Sequence, residues 1–196
     1  SGSGINGTLT DGAAYSSTER ALAFDGVDDY VLARLNNPSG AWVHSISFWF
    51  KLEDVNAVFL YIDDTNPAGG STGNTPHIVL DADGNLRYDF WGNAGYVQNN
   101  PIAANTWTHF TGTYAGGATN PNLKIYLNGT PQSLSYNSGT SPLNAFANSY
   151  LILKPSQACS ISNFKLYDVA LTAEEVAMEY ALGRTGKSLN LTDTSL

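Results

Sequence analysis

Residues 21–32 read Ala-Leu-Ala-Phe-Asp-Gly-Val-Asp-Asp-Tyr-Val-Leu, and no other stretch limits the fold as much. Leu22 and Phe24 alternate with small residues, and Tyr30 and Leu32 alternate on the far side of a tight turn. A period of two is strand patterning. Gly26 supplies a backbone angle that a side chain resists. Asp25, Asp28 and Asp29 place three carboxylates within five residues. Such a cluster is either solvated turn chemistry or a set of hard oxygen ligands for a cation.

The same period recurs along the chain. In His44–Leu52, Ile46, Phe48 and Phe50 share one face, and Ser45, Ser47, Trp49 and Lys51 share the other. Asp83-Gly84 and Asn128-Gly129 each stand between strand-like runs, which is a strong hairpin signal. The last two strands are read at 150–154 and 159–167, and residues 92–105 and 137–148 as loops. One helix is predicted at 172–182. Thr172 and Glu175 make a capping box, Leu171 staples onto Val176, Val176 and Tyr180 share a face, and Gly183 ends it. About twelve strand-sized runs, 19 glycines and 12% aromatic residues in 196 favour a sandwich over a parallel sheet with crossover helices.

Five motifs carry a family resemblance. They are Phe24-Asp25-Gly26-x-x-Asp29-Tyr30-Val31, then Ser45 to Lys51 (Ser-Ile-Ser-Phe-Trp-Phe-Lys). Next come the Trp107-Thr108-His109 strand running into Ala115-Gly116-Gly117, then Ile125-Tyr126-Leu127-Asn128-Gly129. The closing run extends from Phe164 into the helix. Together they resemble the laminin-G-like branch of the concanavalin A-like lectin/glucanase superfamily. The resemblance implies an all-β fold, a two-sheet antiparallel β-sandwich jelly roll with one short C-terminal helix, over residues 21–185. Residues 1–20 are then a linker or lead-in strand, and 186–196 a tail or linker. Ser1-Gly2-Ser3-Gly4 and the polar tail suggest a domain excised from a longer protein.

The resemblance also implies calcium at the sandwich rim. Asp25 and Asp28 would be side-chain ligands, with Asp29 an outside candidate. Family members often carry acidic residues on the last strand where this chain has Ser162 and Asn163, so Asn163 would offer an amide oxygen without charge. The alternative is that Asp25 only caps the turn. Sugar binding is the implied function, needing an aromatic face and planar polar groups. The candidates are Trp91, Asn93 and Tyr96, with Tyr61, Asp63 and Asp64, and beyond them Trp42 and Asn99, all read as loop residues. Core or hairpin packing is the competing reading for each.

Charge and spacing weigh against other classes. The formal net charge is -8 with only nine Lys and Arg, which disfavours nucleic acid and anionic membranes. No apolar run is long enough for membrane insertion. Cys159 stands alone, so no internal disulfide forms, and its apolar-alternating run marks a buried thiol. Glu19, Glu53, Glu174, Glu175 and Glu179 include no Glu-x-Asp-x-x-Glu strand motif of the kind related glucanases use, and no nucleophile elbow occurs. His44, His77 and His109 lie on separate strands without zinc-ligand spacing. His109 is read as a packed, hydrogen-bonded residue.

The expectation is a non-catalytic carbohydrate-binding or adhesion module, calcium-assisted. Its partner is a glycan or cell-surface polysaccharide. It sits on an extracellular or virion surface, as a homo-oligomer within a fibre. The tail from Gly183 to Thr192 resembles segments that follow such modules in viral and phage fibre proteins. The alternatives are a structural or oligomerisation module without a sugar ligand, and a glycoside hydrolase or lyase.

Overall fold

The computed structural model describes residues 7–34, 43–55, 59–63 (backbone only), 76–81, 83–90, 94–99, 101–117, 122–136 and 150–185. The strand with the clearest alternation, β5 (His44–Leu52), is central to one of two sheets. Fifteen strands, numbered in chain order, make up the described fold. The seven-stranded sheet runs β12 (Thr130–Pro131), β11 (Leu123–Leu127), β10 (Thr108–Tyr114), β5, β15 (Cys159–Tyr167), β3 (Ala21–Phe24), β2 (Ala14–Ser16). The eight-stranded sheet runs β1 (Gly7–Thr10), β4 (Tyr30–Arg34), β14 (Tyr150–Leu153), β6 (Phe59–Asp63), β7 (His77–Leu80), β8 (Leu86–Asp89), β9 (Ala94–Val97), β13 (Ser135–Tyr136). All described pairings are antiparallel, as a jelly-roll sandwich requires.

The inward faces meet in one aromatic core. Phe48 lies 5.2 Å from Phe110, and Phe90 meets Tyr114 edge-on at 4.7 Å. Gly112 on β10 leaves room for the Tyr88 ring of the other sheet, since a Cβ there would fall 2.7 Å from it. His44 Nε2 hydrogen-bonds the buried Tyr88 hydroxyl, tying the two sheets together. Cys159 is buried and unpaired. Burial, helped by the Glu53 charge, pushes its thiol up to about 12, so it stays protonated and unreactive.

The acidic turn is the seam of the sandwich. β3 pairs with β2 and β15 in one sheet, whereas β4 pairs with β1 and β14 in the other. Residues 25–29 therefore carry the chain across the layers rather than closing a hairpin. The lead-in residues are also part of the body, because β1 and β2 are edge strands, one in each sheet. The predicted hairpins form as read. Asn128 and Gly129 have φ of 49° and 75°, and Leu127 pairs directly with Thr130, so a two-residue turn joins β11 to β12.

The helix α1 (Ala173–Gly183) starts from both arms of its capping box. The Glu175 N–H donates to Thr172 Oγ1 at 3.2 Å, and the Thr172 N–H donates to Glu175 Oε2 at 2.7 Å. Leu171 and Val176 pack on Tyr126, which seats α1 on the outer face of the seven-stranded sheet. Ser45 locks the approach, donating to Val169 O at 2.8 Å and accepting from Leu171 N–H at 2.9 Å. Gly183 is the last helical residue rather than a left-handed terminator. Its role is steric: a Cβ there would lie 2.5 Å from Trp49 Nε1.

Candidate functional site

At the seam, the side-chain oxygens of Asp25, Asp28 and Asp29 lie within 4.8 Å of one another. Asp25 Oδ1 accepts the Val27 N–H at 2.8 Å, and Asp29 Oδ2 accepts the Asp25 N–H at 2.7 Å. Those bonds set the turn and leave oxygens over. Asp29 is only 4% exposed, yet its Oδ1 is buried with no hydrogen-bond partner. Gly12 makes room for it, since a Cβ there would be 2.6 Å from that oxygen. Leaving a buried carboxylate oxygen unmatched is costly. Three carboxylates with a buried, unpaired oxygen suit a hard divalent cation completed by carbonyls and water.

Asn163 does not join them. Phe24, next to the acidic turn, pairs with Cys159, while Ser162 Oγ donates to Arg20 O at the other end of β3. Asn163 therefore lies roughly four residues, about 13 Å, along the strand from that turn. The β3–β15 pairing of Phe24 with Cys159 and Leu22 with Ile161 sets that separation, and Asn163 itself sits at an irregularity of β15 with a left-handed φ of 52°.

Asn163 instead helps line a cleft of about 810 Å³ on the outer face of the seven-stranded sheet. Trp49 of β5 and Trp107, just before β10, contribute two indoles to it. Tyr180 and Arg184 come from the end of α1, Glu19 and Arg20 from the β2–β3 turn, and Asn128 from the β11–β12 turn. Tyr180 stacks on Trp49 at 5.4 Å with 24° between planes. Lys51 bonds Glu19 at 2.8 Å and sits 5.7 Å over the Trp107 ring, while Arg184 sits 5.8 Å over Tyr180. Three of the cleft residues, Arg20, Asn128 and Asn163, have φ between 49° and 52°. Asn128 takes that angle as a hairpin-turn residue and Asn163 at the irregularity in β15, so Arg20 is the one that stands out.

Below the cleft lies a sealed polar layer. His109 is fully buried, with Nε2 3.0 Å from Ser47 Oγ and its ring 5.1 Å from Trp49. Burial, with the Lys165 charge adding, lowers its pKa to about 4, so the ring is neutral. Ser47 is also fully buried, so this pair offers no nucleophile to a substrate. Lys165 and Glu179 form an ion pair under the helix. Other acidic groups are committed to structure: Asp81 accepts N–H groups of Asp83 and Asn85 in its turn, and Glu175 caps α1.

The predicted sugar ligands fall elsewhere. Trp91, Asn93 and Asp64, with Trp42, lie outside the described residues. Tyr61 and Asp63 are in strand β6, and Tyr96 is in strand β9, not in loops. β9 forms because Tyr96 pairs with Arg87 on one side and Ser135 on the other. The Arg87 guanidinium lies 5.5 Å over the Tyr96 ring and bonds Asp89, which His77 also meets at 3.3 Å. Burial acts to raise the Asp89 pKa, but the bonds and charges of His77 and Arg87 outweigh it and hold it below the ordinary carboxylate range. These residues belong to the eight-stranded sheet, away from the cleft. In sequence Trp49 and Trp107 read as sheet packing, whereas both line the cleft; the one signal for it is a Trp on the polar face of β5, where an indole needs a cover or a ligand.

Comparison with known proteins places the fold. A search of curated proteins gives no match. Among solved structures, the receptor-binding domain of botulinum neurotoxin D aligns with a TM-score of 0.69 and 14% identity, over 93% of this chain and 48% of that one. The binding domain of Paraclostridial Mosquitocidal Protein 1 aligns at 0.66 and 17%, over 91% and 48%. A structure of botulinum neurotoxin type C, whose cell entry depends on interaction with two ganglioside molecules, aligns at 0.62 and 15%, over 92% and 47%. The chain thus spans about half the length of each. A laminin G family model covers residues 24–177, taking in the acidic turn, both central strands and the start of α1. With that match over a two-sheet sandwich, the chain belongs to the concanavalin A-like lectin/glucanases superfamily, as a laminin-G-like domain.

Proposed function

We propose that this domain is a non-catalytic carbohydrate-binding module of an extracellular or virion-surface protein. The observation that carries the reading is the cleft, in which indoles and a tyrosine ring sit beside amide, guanidinium and carboxylate groups. Aromatic faces pack against sugar C–H groups, and planar polar groups take the hydroxyls. At about 810 Å³ the cleft holds a short oligosaccharide. The fold is shared with the receptor-binding domain of a neurotoxin, which supports recognition rather than turnover. Calcium fits the acidic seam, held by Asp25, Asp28 and Asp29. There it would satisfy the buried Asp29 oxygen and brace the crossing between sheets, without contacting the sugar.

A glycan array, run with calcium and again with chelator, tests the reading. Binding that Trp107→Ala abolishes is the expected result, and a stability gain from calcium that chelator reverses is expected beside it. Silence of the folded domain across the array, or reducing ends released from any glycan, would overturn it.

A further inference from the structure

We infer that the sugar taken by this cleft is anionic, a ring bearing a carboxylate held by Arg20 and Arg184. The inference rests on the glycan-binding reading above and narrows its ligand class. The chain carries 17 acidic and nine basic side chains, so its overall field repels anions. Local charge at the cleft runs the other way. Arg20 and Arg184 both line it, with Lys51 beside them over Trp107. The one lining carboxylate, Glu19, is engaged by Lys51 at 2.8 Å. Neither guanidinium makes a hydrogen bond or ion pair among the described residues, whereas Arg87 is bound to Asp89. Both are exposed at the rim, one on the β2–β3 turn and one at the end of α1.

A guanidinium with no ion pair among the described residues presents a planar fork of donors that matches a carboxylate. Two of them beside aromatic rings offer a charge clamp and a stacking platform to one ring. The backbone that carries one of the two side chains is held in place. Arg20 has a left-handed φ of 51°, unusual for a residue other than Gly, Asn or Asp, and its carbonyl is fixed by Ser162 Oγ at 3.0 Å.

The test is titration calorimetry on the full chain with sialyllactose, its carboxyl methyl ester, a glucuronate oligosaccharide, lactose and lactose 6-sulfate. The acidic sugars bind at least tenfold more tightly than lactose and the ester. Arg20→Gln and Arg184→Gln each remove most of that difference while leaving the thermal midpoint unchanged. Equal binding of acid and ester, or a preference that survives both substitutions, would overturn the anionic assignment and leave the glycan-binding module standing. A preference for the sulfate over both carboxylates would overturn the carboxylate assignment. Binding by none of the five sugars to the folded chain would overturn both readings.

Discussion

Acidification from about pH 7 to about pH 4 will loosen this domain through one imidazole, that of His109. The ring is sealed between β5 and α1, against Ser47, Trp49 and Tyr180, with the Lys165–Glu179 pair beneath the same helix. Burial first, and the Lys165 charge second, bring its pKa from 6.5 to about 4. Between those values the unfolded chain binds a proton that the folded chain refuses, so stability rises with pH across the window and falls as acid is added. A gap of about 2.5 units at 1.36 kcal/mol each gives a loss of about 3 kcal/mol by the lower end. Asp89, with its pKa depressed, contributes stability that is lost only further down, as pH falls through its folded value. The two windows therefore separate. Urea unfolding followed by tryptophan fluorescence at several pH values, on wild type and His109→Gln, measures the difference in slope. Wild type should lose about 3 kcal/mol more than the variant across the window. Parallel slopes, or a His109 resonance titrating near its ordinary value, would refute the reasoning.

Gly26→Ala should destabilise by roughly 2 kcal/mol or more, because φ is +79° and the new Cβ would meet Gln157 backbone at 2.4 Å; thermal unfolding reads it. Gly183→Ala should cost about 1–2 kcal/mol despite better helix propensity, since its Cβ would strike the Trp49 indole 2.5 Å away; denaturant titration checks it. Thr172→Ala should cost about 1 kcal/mol by removing the cap, and Thr172→Ser should restore most of it. Calcium at about a hundred times its dissociation constant should add about 2.7 kcal/mol to stability. Asp28→Asn should weaken that gain without changing the midpoint in chelator, and an equal gain in the variant would remove Asp28 from the site.

Local chemistry made much of this legible from sequence. The β5 alternation, the Asn128-Gly129 turn and the Thr172 capping box depend on neighbours a few residues away, and each formed as read. What failed depended on distant partners. Period-two patterning around the acidic turn fixes two strands but not which sheets they join, so the crossing at residues 25–29 was invisible. Glycines at 92 and 95 suggested a loop, yet pairing with Arg87 and Ser135 makes Tyr96 a strand residue. Family position gives Asn163 to the metal, yet the pairing of Phe24 with Cys159 sets it further along β15, where it lines the cleft. Gly183 reads as a helix stop, but the constraint on it is an indole 134 residues earlier that only the folded chain brings close. The cleft itself draws on six segments, and no window of sequence contains it.

The central claim is that the outer-face cleft, not the opposite sheet, takes the ligand. Amide and indole NMR shifts during titration with sialyllactose test it most directly, because four Trp indoles report separately. The account predicts that the Trp49 and Trp107 indole signals move together with Arg20 and Asn163 amides, while the Tyr96 and Arg87 amides stay still. Shifts confined to Tyr96, Arg87 and their strands would contradict it.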